Sequence, residues 1–179
     1  MVFEIYTDGA CIGNKRDSGC AGGYAYIIIS ASGDVIKGGG MRTNVTNNQM
    51  ELLSVIGGLT RVKKTLEKSS VGDFIKDHSC IVYSDSQYVT ENWNDYAEEW
   101  KKNGWRKSNH KPLVNKRMWK EIDSLVGIFK EVKFVWIKGH ASNQFNNMVD
   151  SIAKDFARKA SRVDDMGESN GVESRKKEN

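Results

Sequence analysis

The sequence predicts an α/β fold: a mixed five-stranded sheet, three antiparallel strands followed by two parallel ones, flanked by helices on both faces. Two observations carry that expectation. The chain opens with β-branched and aromatic runs at Val2 to Thr7, Tyr24 to Ser30 and Val35 to Arg42, and the turn Ala31-Ser32-Gly33-Asp34 between the last two folds the third back as an antiparallel meander. Two later apolar runs, Cys80 to Ser84 and Val132 to Lys138, alternate with segments of helical spacing, which implies crossover connections and parallel strands.

The helices follow from periodicity. Thr46 or Asn47 caps a helix in which Leu52, Val55, Ile56, Leu59, Val62 and Leu66 recur at helical spacing, with Gly57-Gly58 marking tight packing. The triple glycine Gly38-Gly39-Gly40 in the third run predicts close backbone approach or a bulge. Lys68 to Ser79 is polar and reads as a loop or insertion. Ser86 to Trp93 reads as helix, as does the stretch carrying Met118, Ile122, Leu125, Val126 and Phe129. Phe145, Val149, Ile152 and Phe156 define the face of a final helix. The domain is therefore expected to span 1–160, with a basic protrusion at about 94–120. Residues 161–179, rich in Gly, Ser and charge, are expected to form a disordered polar tail.

A length of 179 residues with 39% hydrophobic and 9% aromatic residues supports one real core. No apolar run approaches the roughly 18 residues needed to cross a bilayer, and Met1-Val2-Phe3-Glu4 lacks the basic start of a signal peptide. A cytoplasmic protein without membrane contact, acting as a monomer, is the expectation. The three cysteines, Cys11, Cys20 and Cys80, form no C-x-x-C pair, so reduced thiols are expected rather than a disulfide framework or a zinc site. The net charge of +4 is uneven: Trp100 to Lys120 holds eight Lys or Arg and no acid, leaving the remainder near −4. An acidic face beside a basic arm suits a polyanion bound next to a cation-dependent centre.

Four acids make that centre specific: Asp8, Glu51, Asp85 and Asp150 each stand where an apolar strand ends or an apolar helix begins. A carboxylate there costs free energy unless it is paired or holds a cation. Asp8 and Asp85 fall at the carboxyl ends of strands, where open α/β sheets place their ligand crevice. Oxygen-only ligation selects Mg²⁺, with Mn²⁺ able to substitute. Two such ions about 4 Å apart suit an in-line phosphodiester displacement. His140, in the turn after the last strand and ten residues before Asp150, is placed to relay a proton. Helix caps and surface positions account for any one of these residues alone, but not for the set.

The ordered pieces Y-T-D-G-A-C-I-G-N at 6–14, T-N-N-Q-M-E-L at 46–52, S-D-S-Q-Y-V at 84–89, W-K-K-N-G-W at 100–105, K-G-H-A at 138–141 and N-x-x-x-D from Asn146 to Asp150 resemble type 1 ribonuclease H. That family cleaves the RNA strand of RNA–DNA hybrids. The resemblance covers about residues 2 to 160 and implies a ribonuclease H-like fold and two Mg²⁺ ions on Asp8, Glu51, Asp85 and Asp150. It also implies a loop histidine at His140, a supporting Asn146, and products ending in 5′-phosphate and 3′-hydroxyl. By the same resemblance Cys11, Asn14, Asn47, Asn48 and Gln87 line the hybrid's minor groove, where the 2′-hydroxyl distinguishes RNA. The basic arm resembles the family's handle, so the DNA strand is expected on Trp100, Lys101, Lys102, Trp105, Arg106 and Lys107, with Tyr96 as a platform for sugars. Thr46 and Asn115 match positions that grip a DNA phosphate, although Asn44 stands where some members carry arginine. The turn Lys15 to Gly22 is longer than usual and lacks a proline after Asn14. No separate hybrid-binding domain precedes Asp8, so affinity is expected to come from the arm.

Two other classes compete. A non-catalytic hybrid-binding module would keep the fold, but clustered negative charge facing phosphates gains a pure binder nothing. A related polynucleotidyl transferase, such as an integrase or junction resolvase, would share the acids. It does not account for the His140 loop, the basic arm and the Asn/Gln row.

Overall fold

The structure is a computed structural model and describes residues 1–15, 19–69, 72–109, 111–139 and 143–175, with the side chains of 14, 15, 72–74 and 164–175 outside the description. Five strands, β1 (Val2–Lys15), β2 (Gly19–Ile29), β3 (Val35–Val45), β4 (Ser79–Ser84) and β5 (Glu131–Trp136), form one sheet in the order β3-β2-β1-β4-β5. The pairs β1–β2 and β2–β3 are antiparallel, and β1–β4 and β4–β5 are parallel. The mixed architecture is the one the sequence predicts.

Among the described residues five α-helices flank the sheet: α1 (Asn47–Lys68), α2 (Gln87–Glu91), α3 (Ala97–Lys102), α4 (Lys116–Val126) and α5 (Gln144–Arg175). On one face α1 lies over β1 and β2 and packs against α4, while α5 crosses β1, β2 and β3 on the opposite face. The larger core joins Ile5, Ile28, Leu52, Leu59, Val82 and Phe134 to Trp119 and Ile122 of α4. Each such side chain, once fully buried, contributes about 1.5–3 kcal/mol. α1 begins in a capping box: the Thr46 hydroxyl accepts from Gln49 N at 3.3 Å, and Gln49 Oε1 accepts from Thr46 N at 2.9 Å. Such a cap is worth about 1 kcal/mol and fixes where the helix starts.

Several expectations are corrected. The opening strands run further than predicted, because the β1–β2 hairpin pairs through Cys11–Gly22 and Ile12–Ala21 well past the end of β4. Backbone pairing holds a glycine-rich stretch that carries no strand signal in its side chains. The polar 68–79 segment is partly ordered, with a 3-10 helix at Gly72–Asp77. The helix from Gln87 continues through a π-helical turn at Asn92–Tyr96 into α3. That widened turn sets Trp93 against Trp119 and Phe134 and lets Asn94 Nδ2 donate to Phe134 O at 3.1 Å.

The buried seam of α5 is Val149, Ala153, Ala157 and Ala160 rather than the larger residues alone. A Cβ at Gly23 would lie 2.1 Å from Ala153 O, so helix and strand meet backbone to backbone and only small side chains fit. Phe145 still packs, its ring 5.3 Å from that of Tyr6. Burial along α5 reaches Ala160, but the backbone stays helical to Arg175. The boundary near 160 therefore marks the end of packing along the helix.

Cys11 and Cys20 also depart from expectation. They are joined as a disulfide with a Cα–Cα distance of 5.7 Å, because the hairpin sets β1 and β2 side by side. Spacing along the chain does not reveal that pairing. Cys80 is a free buried thiol, pushed up to about 12 by burial.

Candidate active site

The last paired residues of the parallel strands β1 and β4 are Thr7 and Ser84, so Asp8 and Asp85 emerge side by side. β1 continues as a hairpin, whereas β4 stops and turns into α2. The Ser86 hydroxyl caps that helix, accepting from Val89 N. Glu51 arrives from the opposite direction on α1, which Gly9 allows to come close. A Cβ at Gly9 would fall 2.4 Å from Glu51 N and 2.6 Å from Met50 C, so no side chain fits between β1 and the start of the helix.

The result is a convergence of oxygens. Asp8, Glu51 and Asp85 each offer one carboxylate oxygen, all within 4.8 Å of one another. Asp8 and Glu51 are buried, and Glu51 Oε2 has no hydrogen-bond partner. Gly9 N donates to Asp8 Oδ1 at 2.8 Å, and Asn47 Nδ2 donates to Glu51 Oε1 at 3.4 Å. Burial, then the charges of Asp85 and Asp150, raise the Asp8 carboxyl from 3.8 to about 8. Burial first, then Asp8 and Asp85, push Glu51 well above the ordinary range, against the pull of the Gly9 N–H and the Asn47 amide. Packed carboxylates with a buried orphan oxygen fit a divalent cation: it would accept the unused lone pairs and relieve the repulsion.

Asp85 is held from three sides. Asn146 Nδ2 donates to Asp85 Oδ2 at 3.2 Å, and the indole Nε1 of Trp136 donates to the Asp85 carbonyl at 3.1 Å. Gly139 lies against the carboxylate, where a Cβ would sit 2.8 Å from Oδ2. Asn146 is itself buried, with Oδ1 unpartnered. Asp150 comes from α5, outside the three converging oxygens but near enough for its charge to act on Asp8. Lys154 Nζ lies 2.7 Å from Asp150 Oδ2.

Around this cluster the other residues singled out in the sequence separate into rim and core. Asn47, Asn48 and Gln87 are exposed beside Glu51 and Asp85. Cys11 is half-buried, its sulfur committed to Cys20. His140 and the side chain of Asn14 lie outside the described residues. In the arm, Lys102, Arg106 and Lys107 are exposed, but Trp100 is buried, 5.5 Å from Trp119. Trp100 therefore belongs to the core and supports Tyr96, which stacks over it and is 49% exposed. Trp105 is half-buried and packs against the same core. Lys101 is also committed: its ammonium contacts Glu98 and Asp123, each at 2.7 Å, and lies over the Trp93 ring. It clamps α3 to α4. Asn115 Nδ2 donates to the Tyr88 hydroxyl at 3.0 Å, and Thr46 serves the cap of α1.

Sequence reasoning passed over Gly9, Trp136, Gly139 and Lys154. The Asp150–Lys154 spacing of one helical turn was a readable signal. The tryptophan's contact needed the register that ends β5 beside β4, with Ser84 opposite Trp136.

This fold and its acidic cluster define the class first: an α/β domain with the ribonuclease H-like mixed sheet. A family model described as RNase H matches residues 2–158, and a protein named Ribonuclease H from Treponema denticola is 36% identical, covering 89% of this chain and 99% of its own. The chain belongs to the ribonuclease H family of enzymes. Solved structures share its fold. LC9-RNase H1, described as a type 1 RNase H with the type 2 active-site motif, has a TM-score of 0.69 at 24% identity over 89% of this chain and 73% of that one. LC11-RNase H1 in complex with an RNA/DNA hybrid has a TM-score of 0.62 at 20% identity over 88% and 98%. Among the described residues no helix is long and apolar enough to cross a membrane.

Proposed function

We propose that this chain hydrolyses the RNA strand of RNA–DNA hybrids with two Mg²⁺ ions, leaving 5′-phosphate and 3′-hydroxyl ends. The observation that carries the reading is the convergence of Asp8, Glu51 and Asp85 oxygens within 4.8 Å at the ends of β1 and β4. Those three, with Asp150 beside Asp8, are the residues that would hold the ions; Mn²⁺ offers the same charge and oxygen preference. When bound, such cations acidify the attacking water and neutralise the leaving oxygen.

The chain's own residues do the rest. Asn146 and Trp136 fix the carboxylate and the carbonyl of Asp85, so its free lone pairs face the cluster. Asn47, Asn48, Gln87 and Cys11 form the rim that reads the RNA strand, Asn14 is assigned to the same strand by its place in the sequence motif, and the 2′-hydroxyl gives the contact its discrimination. Lys102, Arg106 and Lys107 take the phosphates of the DNA strand, Tyr96 supports its sugars, and Thr46 and Asn115 flank a phosphate. Such contacts are salt-dependent and indifferent to sequence. His140, which follows β5 in the sequence, is assigned the role of proton-transfer group. A hybrid bound to a protein of the same fold supports this choice of substrate.

Asp8→Asn tests the reading. It removes charge while keeping an oxygen for the Gly9 N–H. Cleavage is expected to be lost with hybrid binding retained; a wild-type protein that leaves the hybrid intact in Mg²⁺ would overturn the proposal.

A further inference from the structure

We infer that Lys154 is a counter-ion latch on Asp150: its ammonium holds the carboxylate in the free protein and passes to a phosphate of the bound strand, so that Asp150 joins the cation site only with substrate. This rests on the metal-dependent reading above. Among the described residues Lys154 is the basic side chain ion-paired to one of the four acids, at 2.7 Å. The neighbouring cation on α5, Arg158, is taken by Asp155 at 2.6 Å. The pair is not sealed in: Lys154 is 43% and Asp150 24% exposed. Both line a groove of about 390 Å³ together with Cys11, Asn47 and Arg158, the side from which the RNA strand is proposed to approach.

The chemistry follows from geometry and charge. The ammonium sits on Asp150 Oδ2 at 2.7 Å, and Asp150 stands outside the three converging oxygens. A divalent ion approaching that carboxylate competes with the ammonium for its negative charge. Lysine suits the exchange, since its ammonium is a compact point charge on a flexible stem. From one turn along α5 it reaches either the carboxylate or an anion in the groove.

Removing the ammonium leaves the acids one positive charge poorer, so the substrate-free protein should bind a divalent ion more tightly, by about three- to tenfold. The hybrid loses a phosphate contact, so KM should rise by about fivefold, as for one charge-assisted contact. A residue with a purely structural role would weaken metal binding on removal; the latch predicts the opposite sign.

The experiment is Mn²⁺ titration by calorimetry on the full chain without nucleic acid, for wild type, Lys154→Met and Lys154→Arg, followed by KM and kcat on a hybrid at saturating Mg²⁺. Lys154→Gln replaces the methionine variant if thermal melting shows that it does not fold. Tighter Mn²⁺ binding and a raised KM in Lys154→Met, both returning toward wild type in Lys154→Arg, support the latch. Equal or weaker Mn²⁺ binding in Lys154→Met overturns the latch alone. A wild type that takes up no Mn²⁺ overturns the metal reading, and the latch with it.

Discussion

Asp8→Asn should stabilise the metal-free protein, and the gain should grow with pH. In the folded chain the Asp8 carboxyl is raised to about 8 from 3.8, first by burial and then by Asp85 and Asp150. The folded state therefore keeps a proton that the unfolded chain releases above pH 4. Stability falls as pH rises from about 4 to about 8, then levels off. At about 1.4 kcal/mol per pH unit the ceiling over that window is about 6 kcal/mol, drawn from a cluster whose members share the repulsion. Asparagine carries no charge but remains a buried polar group, so it should recover about 2–3 kcal/mol at pH 8, the usual scale of relief when a functional carboxylate is neutralised. For a domain of this size that is a rise in Tm of about 4–12 °C. The assay is thermal unfolding of both proteins in chelator at pH 5 and pH 8. Saturating Mg²⁺ should then raise the Tm of wild type more than that of Asp8→Asn. A gain equal at the two pH values, or no gain at pH 8, would refute the assignment of the repulsion to Asp8.

Three further outcomes are expected. Asn146→Ala takes the donor from Asp85 Oδ2 and should weaken Mg²⁺ binding about tenfold, the usual effect of losing an outer-shell partner; calorimetry checks it, and unchanged affinity would deny the residue its role. Gly9→Ala forces a methyl into the backbone of Met50 and Glu51 and should cost about 1–3 kcal/mol, as overpacking does, measured by urea unfolding. Lys101→Met breaks contacts to Glu98, Asp123 and the Trp93 ring and should lower stability by about 1 kcal/mol. Its hybrid affinity should fall less than that of Lys102→Met, read from binding at two salt concentrations.

The sheet was legible because Val2 to Thr7, Tyr24 to Ile29 and Cys80 to Ser84 are dense in β-branched and aromatic residues. The acids were legible because such runs stop at them. The extension of β1 past Asp8 was not, since Gly9 to Lys15 holds together through pairing with β2 rather than through its own side chains. The Cys11–Cys20 link was hidden for the same reason: it depends on register. Periodicity found α5 and its sheet-facing residues Phe145, Val149 and Ile152, but not the alanines, which lie where Gly23 meets the helix and no large side chain fits. Counting charge located the arm, yet only the fold shows Lys101 spent on Asp123 and Trp100 turned inward. Trp136 and Gly139 act on Asp85 across the end of the sheet, a contact that linear spacing does not encode.

Strand choice and metal dependence together define the proposed activity. An end-labelled RNA–DNA hybrid, duplex RNA and duplex DNA, each incubated with pure protein in Mg²⁺ and again in chelator, test both at once. Cleavage of the RNA strand of the hybrid alone, with 3′-hydroxyl ends and abolished by chelator, is the expected result. Cleavage that persists in chelator, or a hybrid left intact while duplex DNA is cut, would contradict it.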